Sequence, residues 1–301
     1  MIEHSIWTEK YRPDKLDGYI GNDNVIEKVK VYLESGEIPH LLLYGRAGTG
    51  KTTLGKMIIK NIDCDHIYIN ASDENNVDTV RNKIRQFASN IGFSPLKVVI
   101  LDEADYMTPN AQAALRNLME TFSKYTRFIL TCNYVEKIID PIQSRCQVFG
   151  ITPPSRKEVA IRLKHICDTE NVKYDIDNIV TIVNNTYPDI RRSINALQRQ
   201  VVNGELVIDK HTLLQADYMT NILEELKGVG DIRTIHQIIV DSKCKSFEDL
   251  YVFLYENIDS FTNDYASAVL TLASKQYEAA FSVDKQINVM AMLAELKKGI
   301  K

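Results

Sequence analysis

The stretch Gly45-Arg46-Ala47-Gly48-Thr49-Gly50-Lys51-Thr52-Thr53 fits the pattern G-x-x-x-x-G-K-[ST]. In such a turn the glycines let successive backbone N–H groups face inward around phosphate oxygens, and a helix starting behind them adds a dipole that favours the anion. Lys51 is then placed to set its ammonium on the β- and γ-phosphates of ATP, and the Thr52 hydroxyl to ligate Mg²⁺. Ala47, Gly48, Thr49, Gly50 and Thr53 complete the cradle. About 50 residues further on, Val98-Val99-Ile100-Leu101 runs into Asp102-Glu103, an apolar strand ending in two carboxylates. Asp102 is expected to hold Mg²⁺ through its water shell and Glu103 to orient or deprotonate an attacking water. Each piece has a plainer reading, a glycine-rich turn that matches by chance and a pair of acids that cap a helix. An apolar strand before the turn, a helical stretch after it and the partner acids together disfavour both. Asn133, just beyond the run Arg127 to Thr131, is a candidate to position the same water, although asparagine after a strand is more often turn chemistry.

These groups need a scaffold that brings them to one edge. Four short apolar runs, His40 to Tyr44, Ile67 to Ile69, Val98 to Leu101 and Phe128 to Thr131, alternate with segments of helical spacing, the pattern of a parallel sheet covered on both faces. Strand ends in such a sheet are where ligands bind. A helix over Asp23 to Glu34 has Asn22 as its expected cap and Gly36 as its stop. Thr152-Pro153-Pro154 cannot continue a helix or a central strand, and beyond it Val159, Leu163 and Ile166, then Ile179, Ile182 and Val183, recur at three and four residues. A second break falls near Gly228-Val229-Gly230, and Ile232, Ile235, Ile238 and Ile239 again read as a helix. The expected organisation is an α/β domain over 1–150, a small helical domain over 151–218 and a further helical domain over 219–301.

Composition narrows the class. Hydrophobic residues make up 45% of the chain and charged residues 25%, enough to bury a core. No apolar run approaches the roughly 20 residues that cross a bilayer, and the N-terminus has no signal-peptide pattern, so an intracellular protein of the cytoplasm or nucleus with no membrane partner is expected. Cys64, Cys132, Cys146, Cys167 and Cys244 are scattered with no C-x-x-C pair, which suggests reduced thiols rather than a zinc cage or disulfides. A formal charge of −4 disfavours a generally basic nucleic-acid coat, so any DNA contact is local or pooled across subunits.

In order along the chain, Trp7-Thr8-Glu9-Lys10-Tyr11-Arg12-Pro13, Ile38-Pro39-His40-Leu41-Leu42, Asn70-Ala71-Ser72-Asp73, Asp102-Glu103-Ala104-Asp105, Asn110 to Arg116, Thr131-Cys132-Asn133-Tyr134, Pro141-Ile142-Gln143-Ser144-Arg145-Cys146 and Pro188 to Asn195 resemble the AAA+ small subunits of replication factor C and their phage counterparts. The likeness is ordered from residue 7 to about 200. Beyond that, helical character alone agrees with the family's collar domain. Arg46-Ala47 stands where the family has Pro-Pro, Asn75-Asn76 where it has Arg-Gly, and Pro188 where it has glycine.

The resemblance implies a P-loop AAA+ domain, a helical lid carrying sensor 2 and a helical collar. Adenine would sit against Glu9, Lys10, Tyr11, Arg12 and Ile20, Asn133 would be sensor 1, and Arg191 would reach the γ-phosphate from the lid. Arg145 would be an arginine finger for ATP on the adjacent subunit. The family works as a five-subunit spiral, built from copies of the small subunit with a different subunit, that opens a ring-shaped sliding clamp and sets it on primer-template DNA at sites of replication. Arg81 and Arg85, four apart in the helical stretch whose apolar stripe is Val77, Val80, Ile84, Phe87 and Ile91, would line a DNA backbone, whereas for an isolated helix they read as a solvated face. Three rival functions fit less well. A DEAD-box helicase, invited by Asp102 to Asp105, needs a second sheet domain. A branch-migration motor or origin initiator lacks the Ser-Arg-Cys motif, and a scaffold subunit has no need of Lys51, Thr52, Asp102 and Glu103 together. Substituting Lys51 by Ala is expected to abolish nucleotide binding, because it leaves phosphate charge uncompensated; equal ATP affinity of variant and wild type by calorimetry would show that the site is elsewhere.

Overall fold

The computed structural model describes residues 6–73, 77–208, 210–228, 231–242 and 247–298, and of residues 77–80, 210–217 and 249 the backbone alone. Helix α1 (Trp7–Lys10) is followed by α2 (Asp23–Ser35), which stops at Gly36 in the left-handed region at φ 69°. Asn22 does not cap α2. Its side chain instead donates to the Thr152 carbonyl and accepts from the Thr152 backbone N–H, both at 2.9 Å, tying the start of the helix to the chain beyond the sheet. Strands and helices then alternate: β1 (Leu41–Tyr44), α3 (Lys51–Lys60), β2 (Cys64–Asn70), α4 (Val77–Ser89), β3 (Leu96–Asp102), α5 (Pro109–Thr121), β4 (Thr126–Cys132), α6 (Asp140–Gln143) and β5 (Gln147–Gly150). The strands form one parallel sheet in the order β2-β3-β4-β1-β5. The expected four strands are present, and β5 is an addition, too short and too exposed to show as an apolar run.

Strand alternation sends side chains to both faces, and helices cover each. Leu42, Val99, Leu101, Phe128 and Leu130 pack with Ile84 of α4 and Leu115, Leu118 and Met119 of α5. Leu41, Leu43, Val98, Ile100 and Ile129 pack on the other face with Val29 of α2 and Leu54 and Ile58 of α3. Each such side chain contributes about 1.5–3 kcal/mol when taken from water. The expected stripe on α4 needs one correction. Ile84 is buried and Phe87 packs against the core, but Ile91 is fully exposed, because the helix ends at Ser89 before its next turn could bring Ile91 inward. The side chains of Val77 and Val80 lie outside the described residues.

After β5 the chain becomes helical, as the Pro-Pro break predicts. Helix α7 (Arg156–Thr169) opens with a capping box, Ser155 accepting from the Glu158 N–H while the Glu158 carboxylate accepts from the Ser155 N–H. Helices α8 (Ile176–Thr186) and α9 (Ile190–Gln200) follow, with Asp175 and Asp189 as their N-caps, and then a small antiparallel pair, β6 (Val201–Val202) and β7 (Glu205–Leu206). Val159, Leu163, Ile166, Ile179, Ile182 and Val183 are all buried. Residues up to Leu206 make one compact unit and those from Val207 a second. The boundary expected at 219 instead meets helix α10 (Lys210–Lys227), which begins before it. The second unit continues with α11 (Ile232–Ser242), α12 (Glu248–Glu256), α13 (Tyr265–Ala279) and α14 (Lys285–Lys298), around a core that includes Ile222, Leu226, Ile235, Leu250, Leu254, Val289 and Leu293. Cys64, Cys132, Cys146 and Cys167 are free thiols, and Cys244 lies outside the described residues. Among the described residues no helix is long and apolar enough to cross a membrane.

One core contact carries a pH dependence. His40 Nδ1 accepts from the Phe128 backbone N–H at 3.1 Å, and burial, with Arg127 as a lesser cause, lowers its pKa from 6.5 to about 4. The folded state therefore takes up this proton less readily than the unfolded chain, so the stabilisation is complete above pH 6.5 and is lost as pH falls toward about 4. Urea unfolding at about pH 7 and about pH 5 is expected to show a larger loss of stability in the wild type than in His40→Gln; equal losses would remove His40 from the acid response.

Candidate nucleotide-binding site

The loop between β1 and α3 wraps the lysine that follows it. Gly45 sits at φ 150°, and a Cβ there would lie 2.2 Å from the Ile151 carbonyl oxygen. Gly48, at φ 75°, leaves no space either, since a Cβ would meet an Asp189 carboxylate oxygen at 2.1 Å. The Gly48 carbonyl accepts from the Ile190 backbone N–H at 3.2 Å, so the loop is hydrogen-bonded to the first residue of α9.

Lys51 is 7% exposed. Its ammonium donates to the Gly45 carbonyl at 2.9 Å, the Arg46 carbonyl at 2.8 Å and Asn133 Oδ1 at 2.9 Å, which uses all three of its protons. Burial lowers its pKa, with Cys132, Asp102 and Asp105 opposing that shift and Arg191 adding to it. Since an ammonium only donates, the Asn133 amide must turn its oxygen to Lys51, leaving its NH₂ as the group directed elsewhere. The sheet order explains the meeting. β4 lies between β1 and β3, so Asn133, one residue past β4, falls between the loop and the end of β3.

Asp102 at the end of β3 is buried, and hydroxyls hold both of its oxygens. Thr52 Oγ1 donates to Oδ1 at 2.7 Å, Thr131 Oγ1 donates to the same oxygen, and the Tyr68 hydroxyl donates to Oδ2 at 2.5 Å. Burial first, and the bond to Asp102 second, raise the Tyr68 pKa, so the phenol stays a donor. Glu103 follows in the left-handed region at φ 56°, which costs a non-glycine residue on the order of 1–2 kcal/mol, and its N–H donates to Thr131 Oγ1 at 3.1 Å. Asp105, also buried, accepts from the Asn133 N–H at 3.2 Å, while its Oδ1 has no hydrogen-bond partner.

An open cleft runs from this loop to the N-terminal segment. Gly48, Thr49, Gly50, Lys51, Thr52 and Thr53 form one wall, Thr8, Tyr11, Arg12, Tyr19 and Ile20 another, and Arg162, Ile190, Arg191 and Ile194 of α7 and α9 the third. The predicted loop residues, Tyr11, Arg12, Ile20 and Arg191 thus come together. Ala47 is exposed and lies outside the lining, as do Glu9, whose carboxylate pairs with Arg12, and Lys10, which pairs with Glu170 at 2.8 Å. The N-terminal segment is held to the helices after the sheet: the Trp7 N–H donates to Gln198 Oε1 at 2.9 Å, Arg162 to the Tyr11 carbonyl at 2.6 Å and the Tyr11 hydroxyl to Glu170 at 2.6 Å.

Arg145 is absent from the cleft lining. It is exposed, donates to the Pro141 carbonyl at 2.7 Å and pairs with Glu120 of α5. Arg81 and Arg85 are exposed on α4. Sequence reasoning missed Thr131, Tyr68, Asp105 and Arg162. Thr131 could have been found two positions before Asn133, on the face of β4 that its buried neighbours leave, whereas nothing local to Tyr68 or Arg162 marks their partners.

Residues 41–153 match the ATPase family associated with various cellular activities (AAA), and residues 154–213 match the lid domain described as that of the sliding-clamp-loader large subunit. Whole-chain relatives carry a different subunit name from that lid description. The replication factor C small subunit of Archaeoglobus fulgidus is 41% identical over 275 residues, covering 86% of each chain. That of Halobacterium salinarum is 36% identical and covers 97% of this chain and 95% of its own, and that of Sulfurisphaera tokodaii is 34% identical over 98% and 96%. The small-subunit relation carries more weight because it spans the whole chain rather than the lid. Among solved structures, a Thermotoga maritima RuvB mutant superposes with a TM-score of 0.59 over 80% of this chain and 91% of its own, at 18% identity, a likeness of fold alone. With the phosphate-binding loop, the buried lysine and the Asp102 carboxylate assembled at the end of one parallel sheet, the chain belongs to the replication factor C small-subunit family of AAA ATPases.

Proposed function

We propose that this chain is the ATP-hydrolysing subunit of a DNA sliding-clamp loader, and that the cleft between loop, N-terminal segment and α9 is where it binds ATP. The observation that carries the reading is Lys51, a buried ammonium next to a Thr52–Asp102 pair bonded at 2.7 Å. The residues fit a magnesium nucleotide. Glycines at 45 and 48 leave backbone where a Cβ would collide, a cation donor waits at the loop, and one hydroxyl and one carboxylate stand beside it. Thr52 and Asp102 are the residues that would hold Mg²⁺, which when bound offsets charge on the phosphate oxygens.

In this mechanism Lys51 exchanges carbonyl partners for β- and γ-phosphate oxygens, Glu103 takes the proton of the attacking water, and the Asn133 NH₂ orients that water or the γ-phosphate. Arg191, on α9 and in the lining of the cleft, would report the γ-phosphate to the lid. Adenine would lie against Tyr11, Arg12 and Ile20, with Glu9 and Lys10 supporting that wall through their pairs with Arg12 and Glu170. Residues after 206 would form the collar that joins copies of this chain and a different subunit in a five-membered spiral around primer-template DNA, inside the cell at replication sites.

Arg145 would serve a neighbour. Its exposure and its absence from the lining of its own cleft support action in trans. An arginine finger stabilises charge that develops on the transferring phosphoryl group, and its loss costs roughly 10³ to 10⁵ in rate. Arg145→Ala and Glu103→Gln chains are each expected to bind ATP and hydrolyse little, while their mixture regains activity where an intact Arg145 meets an intact Glu103. Co-assembled mixtures with no recovered ATPase would rule out the trans assignment.

Arg81 and Arg85, one turn apart on an exposed face, would grip DNA phosphates without reading sequence. Replacing Arg81 by Ala is expected to weaken primer-template binding by the assembled complex alike for all sequences and to make its salt dependence shallower by about one unit of slope. An unchanged slope would return Arg81 to a solvated face.

A further inference from the structure

The three hydroxyls on Asp102 are not equivalent. Thr52 and Thr131 both bond Oδ1, from α3 and from β4, so among the side-chain hydroxyls on this carboxylate Tyr68 is the one that holds Oδ2. The bond from the Tyr68 hydroxyl to Oδ2, at 2.5 Å, restrains the carboxylate from its other end, against rotation that would carry both oxygens off their partners. We propose that Tyr68 is a positioning residue for ATP hydrolysis, its hydroxyl holding Asp102 in the orientation that receives the nucleotide-borne cation. The inference rests on the reading of Asp102 as the carboxylate on the metal side.

Three observations carry it. Tyr68 stands on β2 two residues before Asn70, which pairs with Asp102 in the parallel register, so the two side chains share one face of the sheet edge. Its side chain is not part of the core: the residue is 43% exposed and belongs to neither hydrophobic cluster, while its neighbours Ile67 and Ile69 pack into the cluster on the opposite face. Core packing therefore gives no reason for a hydroxyl at this position. Finally, Lys56 Nζ lies 4.6 Å from the Tyr68 ring centroid. A cation over the ring draws electron density from the phenol and makes its O–H a stronger donor. Lys56 is one helical turn beyond Thr52, so α3 acts on Asp102 twice, directly through Thr52 on Oδ1 and through Tyr68 on Oδ2.

The test separates cation handling from stability. Wild type, Tyr68→Phe and Asp102→Asn are compared by calorimetric ATP titration in EDTA and across a series of MgCl₂ concentrations, and by thermal unfolding without nucleotide. Tyr68→Phe removes one oxygen from a half-exposed ring, so its unfolding temperature and its ATP affinity in EDTA are expected to match the wild type. The Mg²⁺ concentration that half-saturates the gain in ATP affinity is expected to rise by about tenfold, the lower end of the usual cost of losing a group that orients a metal ligand. If Asp102→Asn abolishes the Mg²⁺ dependence and Tyr68→Phe leaves it at the wild-type value, the inference about Tyr68 is wrong and the reading of Asp102 stands. If Asp102→Asn itself leaves the dependence unchanged, the reading of Asp102 fails and takes the inference with it. A Tyr68→Phe variant that loses thermal stability and EDTA-state affinity without a change in Mg²⁺ half-saturation would make Tyr68 structural and overturn the proposal.

Discussion

An ammonium group removed from water must be given oxygen, and much of this site can be read as the solution to that requirement for Lys51. Its three protons meet two carbonyls of the preceding loop and the Asn133 amide oxygen, so the loop is wound around its own lysine. That winding needs a backbone without side chains at Gly45 and Gly48, and it needs β4 next to β1 so that Asn133 arrives from the neighbouring strand. The burial that weakens the lysine's hold on its proton is opposed by Asp102 and Asp105 nearby. A phosphate entering here replaces neutral carbonyl partners with charged ones, an exchange that strengthens each hydrogen bond in a site shielded from water.

The second node is Asp102. Its hydroxyl partners come from α3, β2 and β4, three segments that parallel crossovers bring to one edge of the sheet. The glutamate beside it has a left-handed backbone whose N–H donates to the threonine that also bonds the aspartate, so Thr131 ties the Glu103 main chain to the Asp102 carboxylate. One buried hydroxyl thus links the geometry of Asp102 to the backbone of the residue that follows it.

The sequence states the chemistry of the loop and of Asp102-Glu103 because these are contiguous groups whose types and spacing are dictated by phosphate. It is silent where function depends on partners far along the chain. Asn22 has the composition of a helix cap, yet Thr152 offers its side chain a better partner 130 residues away. Ile91 continues a helical spacing that the backbone does not, since α4 ends at Ser89. Strand β5 is hidden because an edge strand with exposed positions carries no apolar signature. In the N-terminal wall of the cleft, Tyr11 and Arg12 are named from the resemblance, but Arg162, which donates to the Tyr11 carbonyl from α7, could be found only once α7 was folded against the N-terminal segment. The boundary expected at 219 falls inside α10, whose helical spacing gives the sequence no break there, while the two compact units divide at Leu206 and Val207.

The hydrogen bond from the Ile190 N–H to the Gly48 carbonyl joins loop to lid through main chain alone. A link of that kind has no side chain to mutate away, so drift in sequence can alter it only by moving the backbone. The motif is therefore unevenly open to change. Arg46 and Ala47 are exposed, and no side chain of theirs is needed to hold the loop. Gly48 is different: the Asp189 carboxylate occupies the place of its missing side chain, and its φ of 75° is one that other residues rarely adopt, so a larger residue would have to displace the N-cap of α9 and strain the loop. Of the undefined positions in the phosphate-binding pattern, one is thus fixed twice over, by its own left-handed backbone and by the first residues of the lid helix packed against it.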